Sequence, residues 1–282
     1  MATANGALYG LALIVGLCVG SFINVLIFRL PLQLQAGWRR DSRDFLGLTQ
    51  EEDSRDRLNL AFPASHCPSC RKPLKFWHNI PLISYVLLRG RCNYCRAPIS
   101  LQYPLVEIAA AAIFIFFLYL YGTTAKAGFA ILFSLILLAL TGIDFKTQLL
   151  PDNLTYPLLW LGLLVNLNGM FTSLESAVIG ALAGYLSLWS VYWIFKLVTG
   201  KEGMGHGDFK LLAALGAWLG WQQLPLIILL SSLCGALVGI ALVIALGRDR
   251  RIPIAFGPYL AIAGWIALVW GDRLVTQYLG MA

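Results

Sequence analysis

Long apolar stretches separated by short polar segments occupy most of the 282-residue chain. The stretches cover residues 7–28, 104–121, 128–143, 153–170, 176–198, 208–224, 225–246 and 253–271. Most of them approach the roughly 20 residues that an α-helix needs to cross a bilayer. The pattern therefore predicts an all-α polytopic membrane protein with about eight transmembrane helices.

Residues 30–103 form the only sizeable polar segment, and they divide the chain into three predicted parts. Residues 1–29 are the first transmembrane helix, residues 30–103 a small cytosolic subdomain, and residues 104–282 a seven-helix membrane domain. The first apolar stretch lacks the leading cationic region of a cleaved secretory signal, so we expect it to be a permanent anchor.

Composition and charge agree with this topology. Hydrophobic residues make up 59% of the chain and charged residues only 12%, whereas about a quarter of the residues of a soluble domain are charged. If the N-terminus is outside, every Lys and Arg except Lys126 and Arg273 lies at the cytosolic side. Membrane topology thus explains the net charge of +7, and we expect no nucleic-acid partner.

Four of the six cysteines lie in the polar segment as two Cys-x-x-Cys pairs separated by 21 residues. The pairs are Cys67 with Cys70 and Cys92 with Cys95. Two such pairs suit a tetrahedral zinc site in which each contributes two thiolates. Two disulfides are the alternative, but the reducing cytosol disfavours them. A closed four-thiolate shell leaves no position open for catalysis, so the predicted zinc is structural.

The few acidic residues at the ends of the apolar stretches are candidates for function. Removing a carboxylate from water is costly unless it is protonated, paired with a cation or hydrated. Asp152 is well placed to cap the helix that begins at about residue 153. Asp144 needs another explanation, since an anion at the C-terminus of a helix is opposed by the helix dipole. Asn24, Gln102 and Glu107 can position a bound segment or satisfy neighbouring backbone groups.

Asp208 follows a run of glycines, Gly203, Gly205 and Gly207, which allows a sharp turn and a close approach to a partner. Because successive spans alternate in direction, Asp144 and Asp208 are both expected at the cytosolic ends of their spans. Two neighbouring carboxylates share a proton and provide an acid and a base around one water, as peptide-bond hydrolysis requires. Our hypothesis assigns the ionised form to Asp208, at a helix start, and the protonated form to Asp144.

The stretch Gly205-His206-Gly207-Asp208, with Phe209-Lys210-Leu211-Leu212 after it, resembles the GxGD signature of bacterial type IV prepilin peptidases. Similar family segments occur in family order along nearly the whole chain. They are Gly20-Ser21-Phe22-Ile23-Asn24-Val25, Arg29-Leu30-Pro31, the two cysteine pairs, Tyr103-Pro104-Leu105-Val106-Glu107, Ile143-Asp144 and Leu149-Leu150-Pro151-Asp152.

The resemblance implies a bacterial inner-membrane enzyme that cleaves type IV prepilins and type II secretion pseudopilins at the cytosolic face. It makes Asp144 and Asp208 the catalytic pair, with Gly205, Gly207 and Lys210 as supporting motif residues. It also implies N-methylation of the new N-terminus with S-adenosylmethionine, associated with the cysteine-bearing loop. No glycine fingerprint marks the methyl-donor site. His206 stands where close relatives would have tyrosine, and it is either a plain loop residue or a source of pH sensitivity.

Two other functions are compatible with the same carboxylates and cysteines. A polytopic transporter or proton-relay protein with a structural zinc site would also carry intramembrane carboxylates, spaced through the depth of several helices. A non-catalytic zinc-bearing scaffold would leave both aspartates replaceable. The mixed-charge residues 39–57 form a solvated surface or, alternatively, contact lipid headgroups or a charged leader. The sequence leaves the oligomeric state open.

Overall fold

The computed structural model describes residues 2–48, 59–246 and 255–279, and nine α-helices account for most of these residues. The helices are α1 (Ala2–Phe45), α2 (Ile83–Leu87), α3 (Gln102–Tyr121), α4 (Ala125–Thr147), α5 (Asp152–Val165), α6 (Leu174–Thr199), α7 (His206–Leu219), α8 (Leu224–Leu246) and α9 (Gly257–Leu279). Extended pairing within these ranges is limited to two isolated bridges. The predicted all-α membrane class is confirmed.

Each of the eight predicted apolar stretches coincides with one of the eight longer helices in the described part of the chain. Six of these helices are long and apolar enough to cross a membrane. The other two, α5 and α7, have 14 residues each. That length corresponds to about 21 Å, less than the roughly 30 Å of a hydrocarbon core. The predicted count of eight full spans is therefore approximate.

Helix α1 is longer than its apolar stretch, since it continues through Pro31 to Phe45. The residues after Pro31 include Leu, Gln, Ala and Arg, which favour helix and extend it into the polar segment. The buried Arg29 holds the returning chain, because its guanidinium donates to the carbonyl oxygens of Asn59 at 2.9 Å and Pro63 at 2.7 Å. The predicted boundary at residue 29 thus falls inside one continuous helix.

The chain divides into two compact units, residues 1–131 and residues 132–282. In the first unit, α1 and α3 approach closely through glycine. A Cβ atom added to Gly16 would lie 2.5 Å from the Cα atom of Ala111, and one added to Gly20 would lie 2.6 Å from that of Glu107. Residue numbers that rise along α1 while they fall along α3 define an antiparallel pair. Small residues at such contacts let two membrane helices pack backbone against backbone.

In the second unit, α7 is the central helix and is buried along nearly its whole length. Gly180 of α6 and Gly216 of α7 face each other so closely that a Cβ atom on Gly180 would collide with the Gly216 carbonyl oxygen. The Trp218 ring covers Gly162 of α5, and its indole nitrogen donates to the Leu158 carbonyl oxygen at 2.7 Å. These contacts fix α7 against α5 and α6, and with it the Asp208 that stands in its first turn.

Candidate active site and metal centre

Asp144 lies near the end of α4, and its buried side chain faces the beginning of α9. Its Oδ2 atom accepts a 3.0 Å hydrogen bond from the backbone N–H of Gly257, the first residue of α9. The first N–H groups of a helix have no partner within the helix and carry its positive dipole end. The start of α9 therefore supplies the stabilising contact that an anion at the end of α4 requires.

Asp208 is the third residue of α7 and is also buried. Its carboxyl group accepts a hydrogen bond from the backbone N–H of Gly205, the N-cap residue of α7. The charge of Asp144 acts on the Asp208 carboxyl group, so the two carboxyl groups lie within electrostatic reach of each other. Both residues belong to the second unit. The structure thus brings together the two aspartates that the sequence singled out.

Leu150, in the turn between α4 and α5, packs against two glycines beside the aspartates. A Cβ atom on Gly207 would lie 2.7 Å from the Leu150 Cβ atom. One on Gly257 would lie 2.6 Å from Asp144 Oδ2 and 3.1 Å from Leu150 Cδ2. A side chain at Gly207 would therefore collide with Leu150, and one at Gly257 would displace the Asp144 carboxylate. Gly205 differs, since a Cβ atom there would lie at an ordinary 3.7 Å from Asp208 Oδ2.

Lys210 ties the first turn of α7 to the first turn of α5. Its Nζ atom lies 2.7 and 2.8 Å from the two carboxylate oxygens of Asp152 and 5.0 Å from the centre of the Tyr156 ring. The expectation that Asp152 caps α5 is wrong, because Pro151 occupies the N-cap and no side chain caps that helix. Asp152 instead forms an ion pair with the Lys210 ammonium group, which carries a full positive charge, whereas the helix start carries only a partial one.

His206 opens α7 and is exposed at its edge. Its ring lies against two aromatic side chains, with centroid distances of 5.1 Å to Tyr192 and 5.4 Å to Phe209. The side chain thus has a packing role at the start of the helix.

Three features of this site were missing from the sequence interpretation: the Gly257 amide, the Leu150 contact and the partner of Lys210. Phe256-Gly257-Pro258 carries a usable signal, since proline in the first turn marks a helix start and glycine permits close approach. No sequence pattern identifies the carboxylate that Gly257 meets, because that residue lies on a distant helix.

The other polar candidates lie in the first unit. The Asn24 side-chain amide donates to the Tyr103 carbonyl oxygen at 3.0 Å, and Glu107 Oε2 accepts the Leu82 backbone N–H at 2.7 Å. The backbone N–H of Gln102 donates to Ser100 Oγ at 3.2 Å. Asn24 and Glu107 thus satisfy neighbouring backbone groups. A role for any of the three in holding a bound segment or methyl donor stays a prediction.

The four cysteines of the polar segment converge in the first unit. All their Sγ atoms lie within 4.8 Å of one another, and those of Cys67 and Cys95 are 3.8 Å apart. Four sulfurs at about 2.3 Å from one tetrahedral ion would be separated by about 3.8 Å. All four thiols are free, so the disulfide alternative does not describe this structure. The cluster can hold one metal ion.

Each cysteine pair sits in a turn of the same kind. Isolated bridges close the turns between His66 and Pro73 and between Arg91 and Pro98. The residue after the second cysteine has a positive φ in both turns, 57° at Arg71 and 60° at Arg96. Two equivalent turns therefore present their thiols to a common centre.

The electrostatics of the cluster favour a cation. The Cys70 backbone N–H, with smaller contributions from the Ser69 N–H and from the Cys92 and Cys70 thiols, lowers the pKa of Cys67 to about 6. The Ala97 N–H acts in the same direction on Cys95, but burial and the hydrogen bonds with the other thiols raise the pKa of Cys95 to about 11. One thiolate forms readily while a second is opposed, and a bound cation would remove that opposition.

Two family models match the chain. The bacterial peptidase A24 N-terminal domain matches residues 14–121, and the type IV leader peptidase family matches residues 131–240. No solved structure matches the chain at a significant level.

Curated relatives match almost the full length. The chain is 54% identical over 271 residues to the prepilin leader peptidase/N-methyltransferase of Stutzerimonas stutzeri, with 96% of this chain and 93% of that protein covered. Identity to the Pseudomonas aeruginosa protein of the same name is 53% over 270 residues, with 96% and 93% covered. Identity to the one from Neisseria gonorrhoeae is 47% over 264 residues, with 94% and 91% covered.

The cysteine cluster predicts a measurable metal content. Full-length protein purified in detergent without chelators should contain about one zinc ion per chain by elemental mass spectrometry. Replacing two ligands at once, Cys67→Ser with Cys92→Ser, should remove most of the zinc, because two thiolates cannot close a tetrahedral shell. Cys234→Ser changes a cysteine outside the cluster and should retain it. A metal-free parent protein, or equal zinc in both variants, contradicts the prediction.

Proposed function

The chain belongs to the type IV leader peptidase family, and on that premise we propose that Asp144 and Asp208 are the catalytic carboxylates of its prepilin peptidase activity. The protein is a polytopic membrane enzyme, a prepilin leader peptidase and N-methyltransferase. The observation that carries the assignment is that two buried aspartates, far apart in sequence and on different helices, lie around the same residue: Leu150 packs against Gly207, next to Asp208, and against Gly257, which binds Asp144.

The proposed reaction proceeds through one water molecule held by the two carboxyl groups. The ionised carboxylate takes a proton from the water molecule while the water oxygen attacks the scissile carbonyl carbon. The protonated carboxyl group donates its proton to the carbonyl oxygen. When the tetrahedral intermediate collapses, the C–N bond breaks and a proton passes to the leaving amine. No metal or covalent intermediate is needed for these steps.

The pair is proposed to act as one unit that shares a proton. The assignment of the ionised form to Asp208 assumed that only this residue faces the positive end of a helix. Asp144 accepts the first N–H of α9, so both carboxyl groups lie beside a helix start. The helix dipoles therefore do not favour the ionised form of Asp208 over that of Asp144. The two proton-binding steps belong to the pair of carboxyl groups and are not assigned to either residue.

Type IV prepilins are the proposed substrates, with type II secretion pseudopilins as a second class and membrane lipids as surroundings. The name shared by the curated relatives supports the first class. We place the N-terminus in the periplasm and the segment between α1 and α3 in the cytosol of a bacterium, across the inner membrane. The distribution of Lys and Arg supports that orientation.

The metal proposed for the cysteine cluster is zinc, held by Cys67, Cys70, Cys92 and Cys95 in a structural role. The convergence of four thiols supports a closed tetrahedral shell. S-adenosylmethionine is the proposed methyl donor, and it would supply the methyl group transferred to the amine that cleavage exposes. None of the described residues is assigned to its binding.

Removal of either proposed catalytic carboxylate should abolish cleavage. Asp144→Asn and Asp208→Asn each keep the side-chain shape but remove the acid or base, and each should lower the cleavage rate by about a thousandfold or more. The measurement is cleavage of a purified prepilin by protein in detergent. Undiminished cleavage by either variant rejects the assignment of these two aspartates as the catalytic pair. Adding a labelled methyl donor to the same reaction measures methylation separately.

Gly257 should be intolerant of even one methyl group. The Cβ atom of Gly257→Ala would displace the Asp144 carboxylate, and we expect about a hundredfold loss of cleavage rate, as for a misplaced reacting group. Gly235→Ala is the matched control, because a Cβ atom there meets its nearest neighbour at an ordinary 3.5 Å. Near-normal cleavage by Gly257→Ala would show that the contact does not position Asp144.

Lys210 and Asp152 should contribute as a pair. Lys210→Ala and Asp152→Ala should each slow cleavage by about two- to fivefold, the effect of losing a partly exposed ion pair, and the double variant should be no slower than either. Lys146→Ala is the control, since it removes an exposed cation two residues from Asp144, as Lys210 is two residues from Asp208. Additive losses in the double variant would contradict coupling through this pair.

A further inference from the structure

Residues 76–87 form a short segment between the cysteine pairs. It is attached to α3 and α1 beside the apolar part of α1 and not beyond its first charged residue. Glu107 of α3 accepts the Leu82 backbone N–H at 2.7 Å and also forms a hydrogen bond with Ser21 of α1. Leu82 therefore lies at about the level of Ser21. Arg29, the first charged residue of α1, is eight residues further along the helix, which corresponds to about 12 Å.

The attached segment has several exposed apolar side chains. Phe76 and Leu87 are each 77% exposed and Val86 is 63% exposed, and Trp77 and Ile83 are also exposed. We call these five residues the α2 surface. Isolated exposed apolar residues are common, but five of them within residues 76–87 indicate an interaction site.

The backbone beneath the α2 surface is tied together internally. The buried Ser84 hydroxyl donates to the Trp77 carbonyl oxygen at 2.7 Å and accepts the Ile80 backbone N–H at 3.0 Å. It thereby holds the turn at Phe76–His78 against α2. Satisfied backbone groups are the condition for a non-spanning segment to lie against hydrocarbon.

Positive charge surrounds the α2 surface without any negative charge in the same stretch. Residues 59–106 contain no Asp or Glu. Their cationic residues are Arg71, Lys72, Lys75, Arg89, Arg91 and Arg96. The Lys75 ammonium group lies 5.1 Å from the centre of the Trp77 ring, so a cation stands directly beside an exposed aromatic side chain. Aromatic residues with flanking cations are typical of the boundary between lipid headgroups and acyl chains.

We propose that the α2 surface inserts into the bilayer leaflet at the Arg29 end of α1, with the surrounding cations against the phosphates of anionic lipids. The depth of Leu82 favours a bilayer over a soluble partner, because the segment lies beside the exposed apolar sides of two membrane helices. Each cation near an anionic surface strengthens attachment. The inference rests on the proposed membrane placement of α1 and α3 and is independent of peptidase chemistry.

Site-specific photocrosslinking to lipid tests the proposal. Full-length protein carrying p-benzoylphenylalanine in place of Phe76 or Val86 is placed in nanodiscs of phosphatidylcholine and phosphatidylglycerol at a ratio of about three to one. Illumination and mass spectrometry should detect acyl-chain adducts at both positions. Leu11, 60% exposed on α1, is the positive control. Phe45, 91% exposed and about 24 Å beyond Arg29 along α1, is the negative control.

Removing two cations should weaken the insertion. With the probe at position 76, Lys72→Gln is combined with Lys75→Gln. In the anionic discs this double change should lower, on the order of tenfold, the ratio of protein with the α2 surface in the bilayer to protein with that surface withdrawn from it. The difference should shrink in discs of phosphatidylcholine alone.

Absence of lipid adducts at both positions 76 and 86, with adducts at Leu11, overturns the proposal. Crosslinks to an acidic protein instead of lipid in intact cells overturn it in favour of a protein partner. Since the prepilin cleavage assay is separate, failure of this proposal is distinguishable from failure of the proposed function.

Discussion

Two carboxyl groups buried beside each other in an apolar helical unit impose the constraint on which the second unit depends. Each carboxylate loses hydration on burial, and the proximity of the other adds repulsion. The protein offsets this cost with backbone N–H groups at helix starts, which donate hydrogen bonds and carry partial positive charge. Asp144 receives such a bond from Gly257 at the beginning of α9, and Asp208 stands in the first turn of α7. The ends of four helices, α4, α5, α7 and α9, are arranged around this requirement.

Glycine makes that arrangement possible at two levels. Along the helices, Gly180 and Gly216 allow α6 and α7 to pack backbone against backbone, which fixes the direction of the central helix. Beside the carboxyl groups, Gly207 and Gly257 leave space for Leu150 and for the Asp144 side chain. The glycines near the site therefore work through the space they leave open, since neither Gly207 nor Gly257 has a positive φ. Flexibility alone does not explain their presence.

The first unit meets a different requirement, because it must order a polar segment that buries few of its apolar side chains. Four converging thiols supply one fixed centre, and the buried Arg29 and Glu107 supply two more by binding backbone groups of the segment. These ties do not require a large hydrophobic core. They leave aromatic and aliphatic side chains at the surface of a segment rich in positive charge, which is a composition suited to a membrane interface.

The sequence by itself determined the fold class and the principal candidate residues. Apolar stretches of bilayer length identified the helices, paired cysteines identified the thiol cluster, and the glycine-rich stretch before Asp208 identified the family, which the relatives confirm. These features are local or repeat at fixed spacing, so they can be recognised along a single chain. The roles of Asp144 and Asp208 in catalysis, and zinc at the thiols, stay predictions.

Only the tertiary structure decided which residues meet. It showed that Asp152 pairs with Lys210 instead of capping α5, that α1 continues past Pro31, and that the amide of Gly257 faces Asp144. In each case the outcome depends on what another part of the chain places nearby. A capping preference is a local bias of only about 1 kcal/mol, so the position of one ammonium group on a neighbouring helix is enough to change the partner of Asp152. Contacts between helices distant in sequence leave no periodic trace in either helix, so only packing in three dimensions reveals them.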